Sequence, residues 1–196
     1  MGYLLGLQEY LEAAYRTSVF QEAVLSGQSW ELHLHEARIV TARITEDLKY
    51  DIKARIEGQA DELLPKLRIK VLYPADLADS IRPHIKLNEK VRDSAMEPVQ
   101  SPGKRHHIKN KSLFPLMKDR TVVFFTLLEG ETLKGIISGF SRYEISLNLK
   151  GGIPVTVLRH SILDLRDKKG RCFLKSFQEK HRDWEKSSIF VPTPPA

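Results

Sequence analysis

Apolar residues recur at every second position in two stretches of the chain, KYDIKARI (49–56) and RYEISLNL (142–149). In the first, Tyr50, Ile52, Ala54 and Ile56 share one side and Asp51, Lys53 and Arg55 the other. In the second, Tyr143, Ile145, Leu147 and Leu149 oppose Glu144, Ser146 and Asn148. Side chains alternate faces along an extended backbone, so this period predicts half-buried strands. Both stretches open with a base, a tyrosine, an acid and an isoleucine. The likeness continues upstream at an offset of 93, where Val40 meets Leu133, Ala42 meets Gly135, Ile44 meets Ile137 and Thr45 meets Ser138. Further back, SVFQEAVLSG (18–27) answers SLFPLMKDR (112–120), each with Ser placed to cap a helix. Downstream, IKVLYPADL (69–77) is set against VTVLRHSIL (155–163), with about seven extra residues in the first copy's turn. The pattern predicts a mainly β chain, a short helix and five short strands written twice. Gly135 and Gly139 are expected to bend the later copy's second strand. A small closed barrel would leave no long free edge.

The flanks read as helices. Leu7, Tyr10, Leu11 and Ala14 mark one face of an extra N-terminal helix, and Phe173, Phe177 and Trp184 fall at helical spacing near the C-terminus. The tail VPTPPA is predicted to be disordered. Residues 1–90 hold the N-terminal helices and the first barrel, 91–111 a basic linker rich in Pro, Gly and His, 112–166 the second barrel, and 167–196 the C-terminal helix and tail.

Charge divides the chain unevenly. Residues 1–100 carry 13 Lys+Arg against 16 Asp+Glu, and residues 101–196 carry 18 against 9. The basic second half points to a polyanionic partner, and the acidic first half is open to protein partners. TVVFFTLL is too short an apolar run to span a bilayer. With no basic leader and one cysteine, Cys172, the expectation is a cytoplasmic protein. No phosphate-binding glycine loop is present. His33 with His35, and His106 with His107, lack a third ligand at metal spacing. No catalytic residue, cofactor or metal is expected.

Residues 112–166 resemble the bacterial Hfq branch of the Sm/Lsm family. The likeness lies in SLFPLMKDR, then LLEGETLKGIISGF, SRYEISL and VTVLRHSI, taken in that order. It implies two tandem small SH3-like barrels, the first diverged, each preceded by a short helix. It also implies subunits joined through their fourth and fifth strands into a ring, here three chains of two barrels or a hexamer. The implied role is that of an RNA chaperone in post-transcriptional regulation, binding single-stranded and U-rich RNA at the pore. Tyr143 would offer a stacking face, His160 donors to the base edge, and Arg159 charge for phosphate. Lys118 and Arg120 would form a basic rim. For Tyr143 a packing role stands beside the stacking one, because it shares its phase with Ile145 and Leu147. In the first copy Tyr73-Pro74 is set where Arg159-His160 stands, which leaves that copy an architectural role. The alternative function is an Sm-like protein scaffold that has lost specific RNA binding.

Overall fold

A computed structural model gives the structure over residues 2–94 and 96–193, so residues 194–196 of the expected disordered tail lie outside the described residues. Strand β1 (Gly2–Leu4) leads into helix α1 (Leu7–Ala14) and helix α2 (Val19–Ser26). Ser18 caps α2 as expected: its Oγ accepts from the Phe20 N–H, and Gly27 ends the helix in the left-handed conformation at φ 62°. Then come β2 (Ser29–Leu34), β3 (Ile39–Asp47), β4 (Asp51–Ile56), β5 (Asp61–Pro65) and β6 (Ile69–Pro74). A connecting region follows with α3 (Ala78–Ile81), β7 (Lys86–Leu87) and α4 (Glu89–Arg92). The second half comprises α5 (Asn110–Lys118), β8 (Val122–Leu127), β9 (Glu131–Phe140), β10 (Glu144–Asn148), β11 (Pro154–Leu158) and β12 (Ile162–Asp167). Helix α6 (Lys175–His181) and strand β13 (Phe190–Pro192) close the chain.

The protein is mainly β and antiparallel. The repeat is carried further than expected. The offset of 93 maps β2 onto β8, β5 onto β11 and β6 onto β12 residue for residue, and the short turn Lys66–Arg68 onto Arg159–Ser161. The supposed extra residues in the first copy's turn are therefore absent. The equivalent of Arg159-His160 is Lys66-Leu67, and Tyr73-Pro74 belongs to β6, one strand later. IKVLYP forms a fifth strand and VTVL a fourth, so aligning the two is out of phase by one strand. Ser112 is also not a cap: α5 begins at Asn110 after Lys109, and the Ser112 hydroxyl is buried with no hydrogen-bond partner among the described residues.

Instead of two closed barrels, ten strands follow one open path in the order β12-β8-β9-β10-β11-β6-β2-β3-β4-β5, with β7 attached to β9. The halves join where β11 pairs with β6, Thr156 opposite Leu72 and Val157 opposite Val71. β6 is buried on both faces: Ile69 and Leu72 enter the first half's core, Val71 and Tyr73 the second's. Each fully buried aliphatic side chain there contributes about 1.5–3 kcal/mol. Glu144 of β10 adds a polar tie, accepting from the Ser18 hydroxyl (3.0 Å) and the Val19 N–H (3.1 Å) at the start of α2. Burial raises its pKa, against the pull of those two donors.

Both long second strands bend, and at equivalent places. Thr45 in β3 and Ser138 in β9 are each left out of register opposite the next strand. The bend thus needs no glycine. Gly135 has a different role: a Cβ there would lie 2.8 Å from the Asn148 carbonyl oxygen on β10. Gly135→Ala is expected to destabilise the protein by roughly 1–3 kcal/mol in urea unfolding. Gly139→Ala, whose Cβ would meet only the Tyr10 hydroxyl at 3.6 Å, should cost clearly less, and equal losses would refute this account.

The flanking segments both pack on the second half. The Tyr10 hydroxyl of α1 donates to the Phe140 carbonyl (2.9 Å) and accepts the Phe140 N–H (2.6 Å), with the ring against Phe114. The C-terminal region is not one continuous helix. Phe173 is buried ahead of α6, Phe177 is exposed and stacked on His181, and Trp184 is buried in a following single turn. Val191 and Pro192, expected to be disordered, pair with β1. Among the described residues no helix is long and apolar enough to cross a membrane.

Candidate nucleic-acid interface

The turn after β11 is held from both sides. Ser161 Oγ donates to the Leu158 carbonyl (2.7 Å) and lies 3.3 Å from the Lys70 carbonyl of β6. The Arg159 N–H donates to the Tyr143 carbonyl at 2.8 Å, which closes the β10–β11 hairpin and sets the two residues side by side. Tyr143 lies just before β10, outside the strand whose phase it shares, and is 62% exposed. Tyr143 therefore does not enter the core that Ile145 and Leu147 join.

Arg159 turns inward. Its Nη2 donates to Asn110 Oδ1 (2.9 Å), and Asn110 Nδ2 in turn donates to the Tyr15 hydroxyl (2.7 Å). The guanidinium lies 5.5 Å from the Phe140 ring centre. Its Nε is buried with no hydrogen-bond partner among the described residues. Desolvation lowers its pKa to about 10, so it stays charged at neutral pH. His160 Nε2 lies 2.8 Å from the Ile69 carbonyl of β6, and an imidazole N–H there donates across the joint between halves. Burial pushes its pKa down to about 4, so the ring is neutral at pH 7.

Tyr143, Arg159 and His160 line one cavity of about 290 Å³. Its remaining wall comes from the basic segment 102–108, from Arg142 and from Ile162. That segment is folded back rather than trailing as a linker. The Arg105 Nε donates to the Val99 carbonyl (3.0 Å), His107 Nε2 lies 2.7 Å from the Pro102 carbonyl, and buried Ile108 bridges to Leu174. Arg105, His106, His107 and Arg142 were not among the residues read from the sequence as site residues. The dense GKRHHIKNK run was the available signal for three of them, but nothing local says that it folds over the hairpin.

Lys118 and Arg120 stand apart. Both are exposed at the end of α5, Lys118 over the Phe114 ring and Arg120 in the left-handed conformation, and neither lines the cavity. In the first half Tyr50 is likewise exposed, and its carbonyl accepts the Lys66 N–H (2.9 Å), as Tyr143 does from Arg159. There Leu67 replaces the imidazole and Asp47 neutralises Lys66 at 2.5 Å.

The histidine pair of β2 serves the interior. His33 Nε2 lies 2.7 Å from the Tyr73 hydroxyl, which itself donates to Glu31; Arg82 also binds Glu31. His35, just beyond β2, is buried 3.4 Å from Glu129. Lys70, fully buried on β6, reaches both Glu129 and Glu131 of the second half. Among the described residues no three ligating side chains come together to hold a metal ion. No protein-family model matches the chain, and no curated protein is significantly similar to it.

Proposed function

We propose that this is a tandem Sm-like protein that binds single-stranded RNA beside Tyr143. The observation that carries the proposal is the grouping of an exposed phenol ring, a charged guanidinium and an imidazole around one cavity. A nucleotide site of this kind needs a π-face for the base, donors for its edge and positive charge for the phosphate. Tyr143 has the face, and Arg142, Arg105 and Arg159 the charge. The Arg159 Nε–H is buried and the His160 N–H is engaged by Ile69, so the donors left for a uracil carbonyl are those of exposed Arg142 and His106 in the cavity wall. The Sm-like assignment draws support from the internal joint, where a fourth strand, β11, pairs with a fifth, β6. Chains would assemble by repeating that joint, three chains of two barrels to a ring; a six-chain ring of second barrels would need β11, which β6 already occupies.

Fluorescence anisotropy with labelled oligo-U, oligo-A and an arbitrary single strand across a salt series tests the site. Tyr143→Ala is expected to weaken oligo-U binding by roughly 5- to 150-fold, the equivalent of about 1–3 kcal/mol of stacking. Lys118→Ala and Arg120→Ala should weaken all three strands slightly and alike, and lower the salt slope. If Tyr143→Ala does no more than Lys118→Ala, the cavity is not the site. The engagement of His160 and Arg159 by the protein itself then favours the scaffold alternative, with the acidic first half as its docking surface.

A further inference from the structure

The two ends of the sheet differ. At one end, among the described residues, no backbone hydrogen bond reaches β5 from any strand but β4. Leu63 in its middle is 56% exposed, whereas its equivalent, Thr156, is buried under β6. At the other end β12 ought to offer the edge that β6 offers to β11. The chain instead turns at 168–170 and comes back along that edge. The Asp167 N–H donates to the Arg171 carbonyl (3.1 Å), the Phe173 N–H donates to the Leu165 carbonyl (2.9 Å), and Arg166 bridges Cys172. Leu165 is the equivalent of Leu72, which faces Thr156. Phe173 therefore lies against β12 where Thr156 lies against β6. The segment is anchored: Phe173 and Trp184 are buried, and buried Gln178 donates to the Cys172 carbonyl at 2.8 Å.

We propose that this C-terminal return stands in for a neighbouring copy of the chain, capping the β12 edge so that a second copy joins, through its β5, only when the return leaves. This rests on the assembly half of the proposed function and adds its control. The return has the advantage of being tethered, which gives it a high effective concentration at the edge. A joint between chains also lacks the internal joint's ion pairs, because Leu163 stands on β12 where Lys70 stands on β6.

Light scattering of the full chain over a range of concentrations is expected to give the mass of one chain, 22.5 kDa. Phe173→Pro removes the N–H given to Leu165. Gln178→Ala loosens the same segment in case proline unfolds the chain. Either variant is expected to expose the buried Cys172 to a thiol reagent and to form species of two or more chains as concentration rises. Adding Leu63→Lys on β5 should return them to single chains. Wild-type rings with Cys172 still protected would overturn the capping proposal and leave ring assembly standing. Variants with a reactive Cys172 that remain single chains would overturn both, while RNA binding by anisotropy stands or falls separately. Association that Leu63→Lys leaves untouched overturns β5 as the acceptor. Should both variants keep Cys172 protected and remain single chains, the return does not leave the edge and the capping proposal is overturned.

Discussion

Lys70→Ala is expected to lower the unfolding free energy by on the order of 3–5 kcal/mol at pH 7, the loss typical when one partner of a buried ion pair is removed. Lys70 has no exposed surface, and it alone ties β6 of the first half to Glu129 and Glu131 at the head of the second half's β8–β9 hairpin. Without it two shielded carboxylates of the second half are left side by side with no counter-charge from β6. Glu129 is held ionised by its bonds to Lys70 and to the Glu36 and Ala37 N–H groups, against the pull of burial. The damage is therefore electrostatic. Lys70→Met combined with Glu129→Gln and Glu131→Gln, which removes all three charges, should recover most of the loss. Urea unfolding of the single and triple variants checks both statements. A single-variant loss below about 1 kcal/mol, in the range of an exposed ion pair, would mean that the joint is held by apolar packing alone.

Mild acid is expected to loosen the same joint. His160, His33 and His35 all have pKa values lowered chiefly by burial, and His160 falls to about 4. An unfolded histidine titrates near 6.5, so between that value and the folded one the unfolded chain binds more protons. Stability is then complete above about pH 6.5 and is lost as pH falls toward 4. For His160 alone the displacement from 6.5 to about 4 corresponds to roughly 3 kcal/mol. Arg105 and His35 face His160, and both disfavour its protonation. Glu31 and Glu129 have lowered pKa values and extend the loss further into acid. Glu144, whose pKa is raised by burial, works in the opposite direction. Unfolding free energies measured from pH 7 to 4.5 should fall steeply, and His160→Gln should flatten the slope. A flat profile between pH 7 and 5 would show that these rings are hydrated in solution.

Much of the architecture was legible because strand and helix periodicities are local. KYDIKARI and RYEISLNL alternate over a single turn of distance, and they became β4 and β10 with their isoleucines and leucines inside. Tyr143, Arg159 and His160 are named together by the Hfq-like resemblance, and the tight β10–β11 hairpin sets Tyr143 and Arg159 side by side. Register between distant copies was less secure. IKVLYP and VTVLRH are both mostly apolar hexads, and hydropathy does not distinguish a fourth strand from a fifth. Only the shared pairing of each fifth strand with its own first strand, β6 with β2 and β12 with β8, resolves it.

What the chain's own pattern settled was the duplication, the strand identity of its alternating stretches, the Ser18 cap and the basic character of the second half. All depend on neighbours within a few residues or on a simple count of charge. The joining of both halves into one sheet, the inward turn of Arg159 onto Asn110, the donation of the His160 ring to Ile69 and the return of Phe173 along β12 depend on groups tens of residues apart. Such contacts form only when a polar group must find a partner as the folded interior excludes water. Local spacing carries no record of which distant carbonyl or carboxylate will be there to meet it.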